Sequence, residues 1–162
     1  MKKNLLLLFL LLCLIPAKAQ YRLSDEAQIS ILTAAPSDDE VYTLYGHTAI
    51  RVKDSLYKLD TVFNYGIFDF SKPNFIYRFT KGETDYKLAA YNFSHYIIEY
   101  QMRGSEVTEQ VLNLTPEEIN KIWNALIVNA QPENAVYRYN FFFDNCATRP
   151  VAIVEEQVNG KV

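Results

Sequence analysis

The chain has 162 residues, of which 49% are hydrophobic and 22% charged. This length and composition are typical of a folded globular domain and exclude disordered and low-complexity classes. Three of the 16 basic residues lie among the first nineteen positions, which leaves thirteen basic residues against 19 acidic ones in the rest of the chain. This acidic balance predicts no nucleic-acid partner, because phosphate binding requires a basic surface.

The first nineteen residues have the pattern of a secretory signal peptide. Two lysines precede an apolar run from Leu5 to Ile15, and Ala17-Lys18-Ala19 provides a small-x-small cleavage motif. We expect cleavage after Ala19 and one exported domain over residues 20–162. No later segment reaches the about 20 apolar residues that a helix needs to span a bilayer.

The cysteines point to a single thiol in the exported domain. Leu12 precedes Cys13, where a lipoprotein signal requires a small residue, so no lipid is expected on Cys13. Cys146 is then the only cysteine of the mature domain. In an oxidising compartment a lone thiol is either buried as a small apolar residue or has a chemical role.

The first half of the domain is predicted to form a hairpin with flanking elements. In chain order, we expect a strand over Gln28–Ala34, a short helix that ends at Gly46, and strands over residues 47–53 and 57–65 around a turn at Asp54-Ser55. Ser71 and Pro73 then mark the start of a helix and Gly82 its end.

The second half is predicted to alternate strands and helices. In chain order, we expect a strand over residues 84–92, a helix capped by Ser94 that stops at Gly104, a strand over residues 105–114, a helix from Thr115 to about Asn129, an extended segment over residues 136–143, and a last helix up to Gly160. The Thr115 helix has the clearest start, because a capping box with proline at the first position precedes its apolar stripe.

Three residues are candidates for thiol chemistry: Cys146, His47 and His95. A thiol needs an adjacent base or a helix N-terminus to become nucleophilic near neutral pH. His47 is placed at the start of a strand, where an imidazole can face a cleft, whereas His95 is expected to be a partly exposed helix residue. Cys146 precedes the last helix, although Pro150 delays the regular helix to about Thr148.

A catalytic imidazole usually needs a third group that fixes its tautomer. A turn centred on Asp54 to Tyr57 places Asn64 opposite His47, so Asn64 is the candidate, with Asp60 and Asp69 as alternatives. No metal site or cofactor is predicted, since metal-binding motifs are missing from the sequence. The aromatic run over residues 137–143 is either core or the lining of an apolar channel for an acyl chain.

Five segments together resemble a known family. They are QISILT from Gln28, YGHTAIRV from Tyr45, FNYGIFDF from Phe63, QVLNLTPE from Gln110 and FFFDNCATR from Phe141. Their order resembles the Lnb N-terminal periplasmic domain, from about Leu23 to the end of the chain. The resemblance implies an α+β, circularly permuted papain-like (NlpC-like) fold with an antiparallel sheet packed against helices.

The same resemblance implies a function in the periplasm. Lnb-type members are similar to lipoprotein N-acyltransferases, which move an acyl chain from a phospholipid to the amine of a diacylated lipoprotein, and full-length members continue into membrane helices. By this resemblance Cys146 is the nucleophile, His47 its base and Asn64 the third residue, and the domain works at a membrane surface. Two alternatives stay open: a cysteine amidase or peptidase acting on cell-wall peptides, and a non-catalytic envelope scaffold.

Overall fold

A computed structural model describes residues 22–37, 45–68 and 73–158. The described elements, in chain order, are β1 (Gln28–Ala34), β2 (His47–Asp54), β3 (Leu59–Phe68), α1 (Phe75–Thr80), β4 (Asp85–Asn92), α2 (Phe93–Met102), β5 (Val107–Val111), α3 (Pro116–Asn129), β6 (Val136–Arg138) and α4 (Thr148–Gln157). The predicted signal segment, the short helix before Gly46, and Asp69 and Ser71 lie outside the described residues.

The six described strands form one sheet in the order β5-β1-β2-β3-β4-β6, and every neighbouring pair is antiparallel. The predicted α+β class with an antiparallel sheet packed against helices is therefore confirmed. Most predicted strands and helices agree with the structure to within a few residues at each end. The helix over Pro116–Asn129 begins at the predicted capping box of Thr115 and Glu118.

Helices cover both faces of the sheet. Successive side chains of a strand point to opposite sides, so each face has its own set of buried residues. On one face, α3 and α4 bury Ile122, Leu126 and Val154 against Ile50 and neighbouring strand residues. On the other face, α2 buries Tyr96 and Tyr100 against the small-residue surface around Ala34, Ala49 and Val62. His47 and Asn64 have the same strand parity as Ala49 and Val62, so they belong to the α2 face.

The predicted register of the hairpin is wrong by two residues. Asn64 pairs with Ala49 rather than with His47, and Leu59 pairs with Asp54. The reason is a four-residue turn over residues 55–58, in which Lys58 has a φ of 53°. A shift of two residues keeps each side chain on its face of the sheet, because the strand period is two. Asn64 therefore still lies on the side of His47.

The extended segment predicted over residues 136–143 is also wrong after Arg138. β6 ends there, and the chain folds into a turn closed by reciprocal backbone hydrogen bonds between Asn140 and Asp144. The Asn140 side chain accepts hydrogen bonds from the N–H groups of Phe142 and Phe143, at 3.0 and 3.1 Å. Local side-chain bonding thus replaces a strand ladder.

The predicted N-cap of helix α2 is also wrong: the cap is Asn92 and not Ser94. The Asn92 side chain accepts a hydrogen bond of 2.8 Å from the N–H of Ser94. We expect Asn92→Ala to lower the free energy of unfolding by about 1 kcal/mol, because the replacement leaves a helix N–H unsatisfied. Ser94→Ala is the matched control and should change it by less than about 0.5 kcal/mol. Urea unfolding measures both, and equal losses would contradict the assignment of the cap.

Candidate active site

The site starts at the glycine that precedes β2. Gly46 has a φ of 70°, and a Cβ there would lie 2.6 Å from the carbonyl oxygen of Ala34. Only glycine combines this backbone conformation with such a close approach. His47 follows and pairs with Ala34 at the end of β1, which sets the imidazole at the rim of the sheet.

The imidazole of His47 is held by Asn64. Nε2 of His47 lies 2.7 Å from Oδ1 of Asn64, a side chain that is only 4% exposed. The same Oδ1 accepts a hydrogen bond of 2.8 Å from the N–H of Gly66, and Nδ2 of Asn64 donates to the hydroxyl of Tyr91 at 2.8 Å. These contacts fix which amide atom is the oxygen, so Nε2 of His47 must carry the proton. Nδ1 is then the unprotonated nitrogen that can act as a base.

Gly66 makes room for this arrangement. A Cβ at Gly66 would lie 2.3 Å from Cε1 of His47, 3.0 Å from Nε2 and 3.1 Å from Oδ1 of Asn64. A side chain at this position would therefore displace the imidazole from its partner. Sequence reasoning did not identify Gly66, although a glycine inside a strand is a known signal of close approach.

Cys146 lies in the turn that leads into α4. Asn145 and Thr148 bond reciprocally: the N–H of Asn145 donates to Oγ1 of Thr148, and the N–H of Thr148 donates to Oδ1 of Asn145, both at 2.9 Å. The N–H of Ala147 also donates to this Oδ1, at 2.8 Å. Pro150 falls in the first turn of α4, where its missing N–H costs no helical hydrogen bond. The turn thereby holds the half-buried thiol at a helix N-terminus.

The thiol contacts the strand that carries the imidazole. Burial raises the pKa of Cys146, and hydrogen bonds from the backbone N–H groups of Thr48 and of Cys146 itself offset part of this rise. Thr48 directly follows His47 in β2, so one strand presents both an imidazole and a peptide N–H at this end of the sheet. Two N–H groups converging on one atom are also suited to stabilise a developing oxyanion.

A salt bridge between Asp144 and Arg149 stabilises the turn that carries Cys146. Nη2 of Arg149 lies 2.8 Å from Oδ2 of Asp144, and the guanidinium sits 3.7 Å above the centre of the Tyr137 ring. Tyr137 in turn donates a hydrogen bond to the carbonyl of Tyr65. Asp144 and Arg149 therefore tie the cysteine turn to strands β3 and β6. Sequence reasoning missed this role, because a stack on Tyr137 depends on the long-range pairing of β6 with β4.

The three predicted site residues, Cys146, His47 and Asn64, line one cleft of about 200 Å³. Its walls are mainly aromatic and apolar, with Tyr45, Ile67, Phe79, Tyr86 and Tyr139. Glu99, Arg103 and Ser105, called the polar wall below, also line the cleft. The other predicted candidates are elsewhere: His95 is exposed on α2, and Asp60 forms a salt bridge of 2.7 Å with Arg51.

The electrostatics of the cleft leave both the His47 imidazole and the Cys146 thiol uncharged at neutral pH. Burial lowers the pKa of His47 to about 4, the hydrogen bond to Asn64 opposes this shift, and the charge of Arg103 adds to it. Since the pKa of the Cys146 thiol is raised, the cleft holds a neutral thiol and a neutral imidazole at rest. Neither charge state therefore amounts to a thiolate-imidazolium pair before any substrate binds.

Comparison with known proteins decides the family. The family model of the Lnb N-terminal periplasmic domain matches residues 17–162. The chain belongs to this family. No curated protein and no solved structure matches the sequence. The family description supports a periplasmic location and an envelope setting for this Lnb N-terminal domain.

Within the residues that the structure describes, no helix of the Lnb domain has the length and apolar character needed to cross a membrane. Over the same residues, no group of three or more His, Cys, Asp or Glu side chains is arranged to hold a metal ion.

The raised pKa of Cys146 predicts how the reactivity of the thiol depends on pH. Alkylation of Cys146 by iodoacetamide should be slow at neutral pH and should rise to a midpoint above the usual thiol pKa of about 8.5, because burial raises the pKa of the Cys146 thiol. Mass mapping of the labelled residue across about pH 5 to 10 measures this. Cys146→Ala gives the background from any other site. A fast plateau that persists down to about pH 5 would instead reveal a thiolate-imidazolium pair.

Proposed function

We propose that this Lnb N-terminal domain is a cysteine-dependent acyltransferase of circularly permuted papain-like fold. The observation that supports it best is the cleft itself, where Cys146 lies beside β2 and His47 is bonded to Asn64 at 2.7 Å with Nδ1 left as a base. The order of His before Cys, with the histidine on a strand and the cysteine at a helix start, agrees with the proposed fold.

The first half-reaction forms a thioester. Nδ1 of His47 takes the thiol proton while the Cys146 sulfur attacks the acyl carbonyl of a phospholipid ester. The N–H groups of Thr48 and Cys146 stabilise the resulting oxyanion. When the ester C–O bond breaks, the imidazolium gives its proton to the departing alkoxide, which leaves as a lysophospholipid. The lowering of the pKa of His47 to about 4 makes its imidazolium a strong acid for this step and its imidazole a weak base for the preceding one, so the thiol proton moves only as the C–S bond forms.

The second half-reaction transfers the acyl group to an amine, proposed to be the N-terminal amine of a diacylated lipoprotein. The amine attacks the thioester carbonyl and loses a proton to His47. The C–S bond then breaks, and the thiolate recovers the proton from the imidazolium. The products are an N-acyl amide and the free thiol, so no additional reactant is needed.

The aromatic walls favour an acyl chain as the bound group. Tyr139 stacks on Phe79 and Tyr86, with ring centres 6.2 and 4.1 Å apart, and the three rings form a continuous apolar surface in the cleft. A lipid acyl chain gains free energy from such a surface, because apolar area is removed from water.

A second candidate function is hydrolysis of cell-wall peptide amides with the same pair of residues. The polar wall favours it, since Glu99 and Arg103 are charged groups that could bind a peptide substrate. To decide between the two functions, the protein is incubated with a phospholipid that has a labelled acyl chain and, separately, with a cell-wall peptide. The acyltransferase proposal expects an acyl adduct on Cys146, seen by intact mass, that a lipopeptide amine removes. Release of a peptide fragment without an acyl adduct would favour the peptidase.

A further inference from the structure

The turn after β6 carries three consecutive phenylalanines that point into solvent. Phe142 is 75% exposed and Phe143 is 82% exposed, while Phe141 packs edge-on against Tyr45 with ring centres 5.2 Å apart. Tyr45 is itself exposed and lines the cleft. These four rings, called the aromatic tip below, therefore form one apolar surface that runs from the turn to the mouth of the cleft. An exposed patch of this kind marks an interaction site.

Several backbone groups of the aromatic tip are bonded from within the turn. The N–H groups of Phe142 and Phe143 donate to Oδ1 of Asn140, and the carbonyl of Phe141 accepts a hydrogen bond of 2.8 Å from Nδ2 of Asn145. Reciprocal backbone bonds between Asn140 and Asp144 close the turn. A segment can enter an apolar medium only if its backbone groups keep such partners, because an unsatisfied group costs several kcal/mol in lipid.

The charges next to the aromatic tip are paired. Arg149 bonds to Asp144 at 2.8 Å on one side, and Arg138 bonds to Asp85 at 2.7 Å on the other. Residues 139–143 contain no ionisable side chain other than the Tyr139 phenol. Insertion of the rings would therefore not remove an unpaired charge from water. Binding would also not depend on the opposite charge of a partner.

We propose that the aromatic tip inserts into the interfacial layer of a lipid bilayer and holds the cleft mouth against the lipid. Aromatic rings are favoured at this layer. An exposed turn without charged side chains, whose backbone is partly bonded from within, suits a deformable lipid surface better than the shaped pocket of a protein. The inference rests on the proposed function, because insertion would serve to let an acyl ester pass from the bilayer along Tyr45 to Cys146.

Binding of the full chain to phosphatidylcholine vesicles tests the proposal. The double variant Phe142→Ser/Phe143→Ser should lower vesicle partitioning by on the order of tenfold or more, because two large apolar side chains no longer leave water. Residues 1–19 are common to all variants, so their contribution cancels. Leu56→Ser/Tyr57→Ser is the matched control, because that exposed apolar turn lies at the other end of β2. It should leave partitioning unchanged.

A fluorescent probe locates the contact. Phe143→Trp should show a blue shift on addition of vesicles, while the native Trp123, which is 8% exposed, keeps its emission. Binding should persist when the salt concentration is raised, because no charge attraction drives it. Equal losses from both turn variants, or binding that requires anionic lipid, would overturn the proposal. So would a lipid-free dimer that the tip variant dissociates, since the rings would then cover a second copy.

The vesicle-binding result can be distinguished from a failure of the proposed acyl transfer. Cys146→Ala should bind vesicles as the unmodified chain does, so a failure of acyl transfer leaves the vesicle result intact. The tip variant should keep the alkylation rate of Cys146 in the absence of lipid, which shows that the cleft is undamaged. If the tip variant transfers acyl chains from vesicles as fast as the unmodified chain, the aromatic tip has no role in reaching lipid.

Discussion

Replacement of His47 with alanine should lower the rate of acyl-thioester formation on Cys146 by on the order of a thousandfold. The structure gives the reason. The thiol is neutral at rest because burial raises the pKa of Cys146, so its proton must be removed during the attack. Nδ1 of His47 is the acceptor in the proposed mechanism, since Nε2 is occupied by Asn64 at 2.7 Å. Without the imidazole, only the small population of free thiolate can react.

The experiment follows the acyl adduct by intact mass after mixing with a labelled phospholipid. Cys146→Ala should give no adduct. His95→Ala is the matched control, because His95 is the other histidine and is exposed on α2. It should react at the rate of the unmodified chain. An adduct that forms in His47→Ala at an undiminished rate would rule out His47 as the base. Adduct formation that depends on His95 would show that His95, and not His47, acts as the base.

Local sequence signals predicted those parts of the site that depend on nearby residues. A lone cysteine before a helix and a histidine after a glycine at a strand start both follow from neighbouring residues, and both residues line one cleft. The family resemblance, confirmed over residues 17–162, linked two positions that are 99 residues apart. Spacing alone could not make that link, because it depends on how α4 docks against β2.

Two features could not be read from local pattern. Lys58 adopts a φ of 53° without being glycine or asparagine, so the four-residue turn that sets the hairpin register has no clear residue signature. The pairing of β3 with β4 shifts between Asn64 and Ile67, which is a β-bulge or similar irregularity. Such irregularities re-aim side chains near functional sites. The approach of Gly66 to His47 occurs beside this irregularity, and therefore it appears only in three dimensions.

Gly66→Ala should lower acyl transfer by on the order of a hundredfold, because displacement of a catalytic group by about 1 Å has that cost. The new Cβ would lie 2.3 Å from Cε1 of His47, so the imidazole must move away from Asn64. The loss should appear in kcat rather than in KM, since the alanine touches the base and not the apolar walls. Gly66 would thus be a positioning residue that acts through His47.

Two comparisons separate positioning from general damage. Gly82→Ala is the matched control: its φ is 67° and a Cβ there meets no atom within 4 Å, so it should lower stability by about 1 kcal/mol and leave kcat unchanged. The double variant His47→Ala/Gly66→Ala should be no slower than His47→Ala alone, because both changes remove the same group from the reaction. If the effects of the two substitutions multiply instead, or if Gly66→Ala only lowers the unfolding midpoint, Gly66 has a structural role and does not position the base.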